Sequence, residues 1–145
     1  MKKIIIINGP NLNLLGNRET DIYGKLTLTE IEQLSKNKAN ELNLLLIFYQ
    51  SNSESDIIDQ IHKTQTEYDG LIINPAAYTH TSIALLDALK AITKPKIEVH
   101  LSNIYNREDF RKNSITSASV DGMICGFGAL SYILAIEALN SLLVN

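Results

Sequence analysis

Cysteine is almost missing from this 145-residue chain, and that scarcity excludes two classes of protein. Cys125 stands alone, so no intramolecular disulfide can form. It lies in the apolar run Met123-Ile124-Cys125, where it reads as a small buried hydrophobe rather than a nucleophile. One Cys and three scattered His give no zinc-ligand spacing, so no metal is expected. Basic charge is also in short supply. Thirteen Lys and Arg face sixteen Asp and Glu, a formal charge of -3, which leaves no electrostatic footprint for nucleic acid. Long apolar runs are absent, so no bilayer-spanning helix is expected. The four isoleucines after Lys2-Lys3 are too few for a signal-peptide core. The expected location is the cytoplasm. With three Pro and seven Gly there is no linker-like or low-complexity stretch, and one domain over residues 1–145 is expected.

Five short apolar runs punctuate the chain: Ile4–Ile7, Leu44–Tyr49, Leu71–Asn74, Ile97–His100 and Gly122–Cys125. Runs of this length bounded by turn residues read as buried parallel strands. Between them lie stretches with helical spacing. Residues 27–42 carry Leu28, Ile31 and Leu34 after a Thr cap, with Glu30 in the first turn. Residues 53–66 begin Ser53-Glu54-Ser55-Asp56. Residues 81–92 end just before Pro95, and residues 129–144 close the chain. Alternating strands and helices predict an α/β fold of three layers, α/β/α. Right-handed crossovers favour a doubly wound, flavodoxin-like parallel sheet in the order 2-1-3-4-5.

Polar residues gather after three of these strands. Strand 1 runs into Asn8-Gly9-Pro10-Asn11-Leu12-Asn13, then Arg18 and Tyr23. Strand 3 runs into Asn74-Pro75-Ala76-Ala77-Tyr78-Thr79-His80. Strand 4 ends Glu98-Val99-His100-Leu101-Ser102, followed by Arg107 and Arg111. In the expected order these strands are neighbours, and the order reverses between strands 1 and 3. Their loops should therefore meet in one crevice at the switch point. Glu98 and His100, two apart on a strand, share a face. A buried carboxylate beside an imidazole is either a satisfied core pair or a means of orienting a general acid. The position at a strand's C-terminal end favours the second. Tyr23, in a loop of lid-like length, is a poor base unless a cation such as Arg18 assists it, and by spacing alone it reads as a surface residue of a Tyr-Gly turn. His80 sits where a helix begins, as part of a capping cluster or as a contact for an anion. Arg107 and Arg111 fit a solvated helix start or a carboxylate clamp. Gly126-Phe127-Gly128 imitates a dinucleotide fingerprint but lacks its third glycine, and it reads as a tight turn. His62 reads as a surface residue, and Ser131 and Tyr132 as ordinary helix residues.

Taken together these segments resemble the type II 3-dehydroquinate dehydratases of the shikimate pathway. The resemblance rests on Gly9-Pro10-Asn11-Leu12-Asn13-Leu14-Leu15-Gly16-x-Arg18-Glu19-x-x-x-Tyr23-Gly24, on Asn74-Pro75-Ala76-Ala77-Tyr78-Thr79-His80-Thr81-Ser82 with Asp87-Ala88, and on Glu98-Val99-His100-Leu101-Ser102-Asn103 with Arg107-Glu108-x-Phe110-Arg111. It implies cofactor-free dehydration of 3-dehydroquinate to 3-dehydroshikimate through an enolate. Tyr23 is then the base, assisted by Arg18. His100 is the acid, oriented by Glu98, and Asn11 holds a water at the enolate oxygen. Asn74, His80, Leu101, Ser102 and Arg111 bind substrate. Asp87 reaches in from a neighbouring subunit of a trimer-based dodecamer. Arg107 resembles a second required arginine. Thr20, Ala76 and Lys112-Asn113 depart from the family pattern, and none of them removes a catalytic group. Competing readings fit less well. A phospho-receiver needs an Asp where Asn74 stands, an FMN binder needs a different first loop, and a purely structural domain leaves the polar clusters unexplained.

Overall fold

The computed structural model describes residues 1–17 and 19–144. Its centre is a five-stranded, all-parallel sheet: β1 (Lys2–Asn8), β2 (Leu44–Gln50), β3 (Gly70–Asn74), β4 (Lys96–His100) and β5 (Gly122–Cys125). The spatial order is β2-β1-β3-β4-β5, as expected from the alternation of strands and helices. A one-turn α1 (Thr20–Tyr23) precedes α2 (Leu28–Glu41). Then follow α3 (Glu54–Glu67), α4 (Ile83–Ala91) and α5 (Leu130–Val144).

Local chemistry explains where the helices begin. Thr27 accepts the Glu30 amide through its hydroxyl while the Glu30 carboxylate reaches back to the Thr27 amide, a reciprocal cap that satisfies two orphan donors. The hydroxyls of Ser53 and Ser82 accept the Asp56 and Leu85 amides, a one-sided cap.

Strand periodicity sorts the core. Ile4 and Ile6 pack with α2 and α5 on one face, whereas Ile5 and Ile7 pack with α3 and α4 on the other. All four are fully buried, each contributing about 1.5–3 kcal/mol of burial free energy. A strand covered on both faces has no polar side, which is why β1 reads as a continuous apolar run. The same parity carries the polar strand ends. Asn8 and Asn74 follow Ile6 and Ile72 by two residues and point toward α5. Glu98 and His100 alternate with Ile97 and Val99 and point toward the α4 side. No helix among the described residues is long and apolar enough to cross a membrane. His62 is exposed, and Cys125 is half-buried rather than fully buried because β5 is an edge strand.

Candidate active site

A cleft opens at the C-terminal ends of β1, β3 and β4, at the point where the strand order reverses. Its walls include Asn11, Tyr23, Asn74, His80, His100, Leu101, Ser102, Arg107 and Arg111. Nine of the residues singled out from sequence thus meet in one place. Arg18 lies outside the described residues. Glu98 stands behind His100 rather than on the wall, and Asp87 is exposed on α4, away from the cleft of its own chain.

The first loop is held by close backbone approach and by amides. The Gly9 amide donates to the Asn74 carbonyl at 2.8 Å. A Cβ on Gly9 would stand 2.5 Å from the Pro75 carbonyl oxygen, so this crossing of two loops admits no side chain. Asn11 adopts a left-handed conformation (φ 68°), which Asn tolerates, and its amide donates to the Asn52 side chain at 3.0 Å. Gln50, at the end of β2, donates to the Gly9 carbonyl. Neither Gln50 nor Asn52 stands out in the sequence. Their only signal is that they follow a strand adjacent to β1.

Asn74 is fixed from two sides. Its side-chain oxygen accepts the Ala76 amide (3.0 Å), forming a short turn that carries Ala76 at φ 52°. Its amide nitrogen donates to the Tyr132 hydroxyl (2.9 Å), and that hydroxyl donates to Asn8 (2.6 Å). Tyr132 is fully buried. Burial pushes its phenol well above the usual range, so it serves as a neutral bridge. The sequence reading of Tyr132 as an ordinary helix residue missed this. A phenol in a mostly apolar helix was the available signal, because a buried tyrosine hydroxyl needs a partner.

Glu98 is fully buried and ringed by donors. One carboxylate oxygen accepts from His100 Nε2 (2.6 Å), Thr79 (2.7 Å) and Ser114 (3.0 Å). The other accepts from Thr116 (2.6 Å). Burial alone would raise its pKa. The hydrogen bond and charge of His100, with the hydroxyls of Thr116 and Thr79, outweigh that and hold the carboxyl below its ordinary range. His100 Nε2 is committed to Glu98, so Nδ1 is the nitrogen left for a ligand in the cleft. His80 Nδ1 faces the Asn113 carbonyl at 2.8 Å. Burial lowers the His80 pKa against that hydrogen bond, and the charges of His100, Arg111 and Arg107 lower it further, favouring a neutral ring. Its Nδ1–H then donates to the carbonyl.

Tyr23, half-buried at the end of α1, meets a cation: Arg107 Nη1 donates to its hydroxyl at 2.8 Å, and the guanidinium carbon lies 5.1 Å from the ring centre. Arg111 Nε is 3.0 Å from Glu108. Gly126 and Gly128, both at positive φ, form the turn expected there, and the Gly128 amide donates to the Leu101 carbonyl.

The sheet order and this cleft define a doubly wound, flavodoxin-like α/β protein with a phenol, an imidazole and guanidinium groups gathered at its switch point. The chain matches the family model Dehydroquinase class II over residues 2–140 and belongs to that family. It is 57% identical over 144 residues to a protein of Caldicellulosiruptor saccharolyticus named 3-dehydroquinate dehydratase, covering 99% of each chain. The crystal structure of type II dehydroquinase from Butyrivibrio crossotus superposes with a TM-score of 0.94 at 45% identity, covering 96% of this chain and 97% of that one. That of the Propionibacterium acnes type II dehydroquinase gives 0.94 at 41% identity, covering 97% of each.

Proposed function

We propose that this chain removes water from 3-dehydroquinate to give 3-dehydroshikimate, as a cofactor-free hydro-lyase of the shikimate pathway acting as one catalytic domain. Family membership supports the reaction. The observation that carries the mechanism is the convergence of Tyr23, Arg107, His100 and Asn74 on one cleft.

In this reading the Tyr23 phenolate takes the proton from C2 of the substrate. The C–H electrons move onto the ketone oxygen as an enolate. Arg107, which donates to the Tyr23 hydroxyl, holds that oxygen in place, and Arg18 assists it as the family resemblance implies. Asn11 holds a water on the enolate oxygen, as oxyanion stabilisation requires. The enolate then collapses, the C1–C2 double bond forms, and the C1–O bond breaks as His100 gives a proton to the departing hydroxyl. Glu98 orients the imidazole. Asn74, His80, Leu101, Ser102 and Arg111 hold the substrate's hydroxyls and carboxylate. Asp87, exposed on α4, contributes to the cleft of a neighbouring copy in a trimer-based dodecamer in the cytoplasm.

The test is incubation with 3-dehydroquinate while following the ultraviolet absorbance of the conjugated product, with chelator and with borohydride in parallel. Product should form equally with and without chelator, and enzyme treated with borohydride in the presence of substrate and then freed of the reagent should keep its activity. No product overturns the reading, and substrate-dependent inactivation by borohydride replaces the enolate route with a lysine imine. Sedimentation should find a large closed oligomer, and a fully active monomer refutes the role given to Asp87.

A further inference from the structure

Two of the three hydroxyls around Glu98, those of Ser114 and Thr116, belong to a segment that sequence patterns leave blank. Residues 113–116 run along the turn at Ala76–His80 and are hydrogen-bonded to it twice. The Ile115 amide donates to the Thr79 carbonyl (2.7 Å), and the Asn113 carbonyl accepts from His80. Ser114 and Thr116 both lie against the Thr79 hydroxyl, at 2.6 and 2.7 Å. The segment is braced internally as well. The Ser117 amide donates to the Ser114 hydroxyl, and the Ser119 hydroxyl donates to the Thr116 carbonyl. One short stretch therefore links His80 on one wall of the cleft with the carboxylate behind His100 on the other. Thr116 and Thr79 are fully buried, like Glu98 itself.

A carboxylate out of contact with water has to find all its donors in the protein. His100 supplies one. If it were alone, three lone-pair sites would be bare, and the buried group would take up a proton and lose its hold on the ring. Three hydroxyls supply the rest: Thr79 and Ser114 join His100 on one oxygen, and Thr116 serves the other. Thr116 is the one on the oxygen that His100 does not touch, so it balances the pull of the imidazole and fixes the carboxylate plane.

Resting on the dehydration reading above, we infer that Thr116, with Thr79 and Ser114, is a positioning residue of this reaction: the hydroxyl cage holds the Glu98 carboxylate fixed, and so keeps His100 aimed for loss of the hydroxyl. The titratable and charged groups around the pair are few. On β4, His100 and the buried Lys96 share the face of Glu98, with the Lys96 ammonium held by the Ile92 carbonyl; Cys125 pairs with His100 on β5, and His80, Tyr23, Arg107 and Arg111 come from the cleft wall. None of them touches the Glu98 oxygen that Thr116 serves.

The experiment compares Thr116→Val, which keeps the shape and loses the hydroxyl, with Thr116→Ser, which restores it. kcat and KM for 3-dehydroquinate are measured across pH. In Thr116→Val, kcat should fall about 10- to 100-fold, as loss of one hydrogen bond to a buried charge predicts. KM should change by less than about threefold, because the lost group acts on a proton transfer and not on substrate binding. The acid limb of the kcat profile should move to higher pH, since a poorly solvated carboxylate protonates sooner. Thr116→Ser should return both to near parent values. Should Thr116→Val fail to fold, Ser114→Ala at the half-buried rim of the cage decides, with a smaller move of the acid limb in the same direction. A parent enzyme active on 3-dehydroquinate together with an unmoved acid limb and unchanged kcat overturns the cage. An inactive parent overturns the dehydration reading instead.

Discussion

Replacing Tyr132 by Phe would remove one oxygen from the core beneath the cleft and leave the ring in place. That hydroxyl donates to Asn8 at 2.6 Å and accepts from Asn74 at 2.9 Å. The Asn8 side chain has no contact with solvent, so in Tyr132→Phe its oxygen is left without the donor, at a cost of about 1–3 kcal/mol. Asn74 borders the cleft and can partly rehydrate, adding about 1 kcal/mol. The ring packing, with Phe48 at 6.4 Å between centres, is unchanged. The total is about 2–4 kcal/mol. A 145-residue chain has an unfolding entropy of about 0.3 kcal/mol/K near its melting temperature, so the loss corresponds to about 7–13 °C. Thermal melts of parent and variant by circular dichroism, at equal protein concentration because assembly adds stability, measure it directly. The variant should also bind substrate less tightly, since Asn74 loses its anchor, while the loss in kcat should be smaller. A melting temperature within about 2 °C of the parent would refute the claim that this hydroxyl holds Asn8 and Asn74 in place.

Four further outcomes follow from named contacts. Gly9→Ala puts a Cβ 2.5 Å from the Pro75 carbonyl oxygen; the loops bearing Asn11 and Asn74 must part by about 1 Å, and kcat should fall about 100-fold, with a parent-like kcat refuting the close approach. Ala76→Gly relieves a left-handed alanine at φ 52° and should leave the protein as stable as the parent or up to about 1 kcal/mol more so; a melting temperature lower by several degrees would count against strain there. Tyr23→Phe should lower kcat by roughly three or more orders of magnitude with a much smaller effect on KM, and steady-state rates on 3-dehydroquinate check it. Acid should weaken the fold in two steps. His80 is held below its ordinary value, so the folded state disfavours the proton that the unfolded state takes up once pH drops below about 6.5. Glu98 is also held low, and its contribution, fully present above the ordinary carboxylate value, is lost as pH falls through its lowered folded value. Urea midpoints should thus fall with pH, and His80→Gln should flatten the earlier part of that fall; a midpoint that rises on acidification contradicts both signs.

Sequence alone determined the framework because the framework is periodic. Four consecutive β-branched isoleucines ending at Asn-Gly-Pro fit a strand covered on both sides, and the alternation of such runs with capped amphipathic helices leaves little choice of topology. Strand parity placed Glu98 and His100 on one face, and strand order placed the three polar loops at one switch point before any contact was known. Asn11, Tyr23, Asn74, His80, Arg107 and Arg111 were candidates because they follow strands at their C-terminal ends, and the resemblance to a known family, rather than spacing, gave them roles. Tertiary structure decided which partner each of them has. Arg107 reaches Tyr23 across 84 residues of sequence, Tyr132 reaches Asn8 across 124, and Thr79, Ser114 and Thr116 close on Glu98 from 19, 16 and 18 residues away. A hydroxyl in a loop has no period and no composition that marks it. Whether it faces water or a buried carboxylate depends on which segments the sheet brings together, and a single buried charge then makes each of those contacts matter.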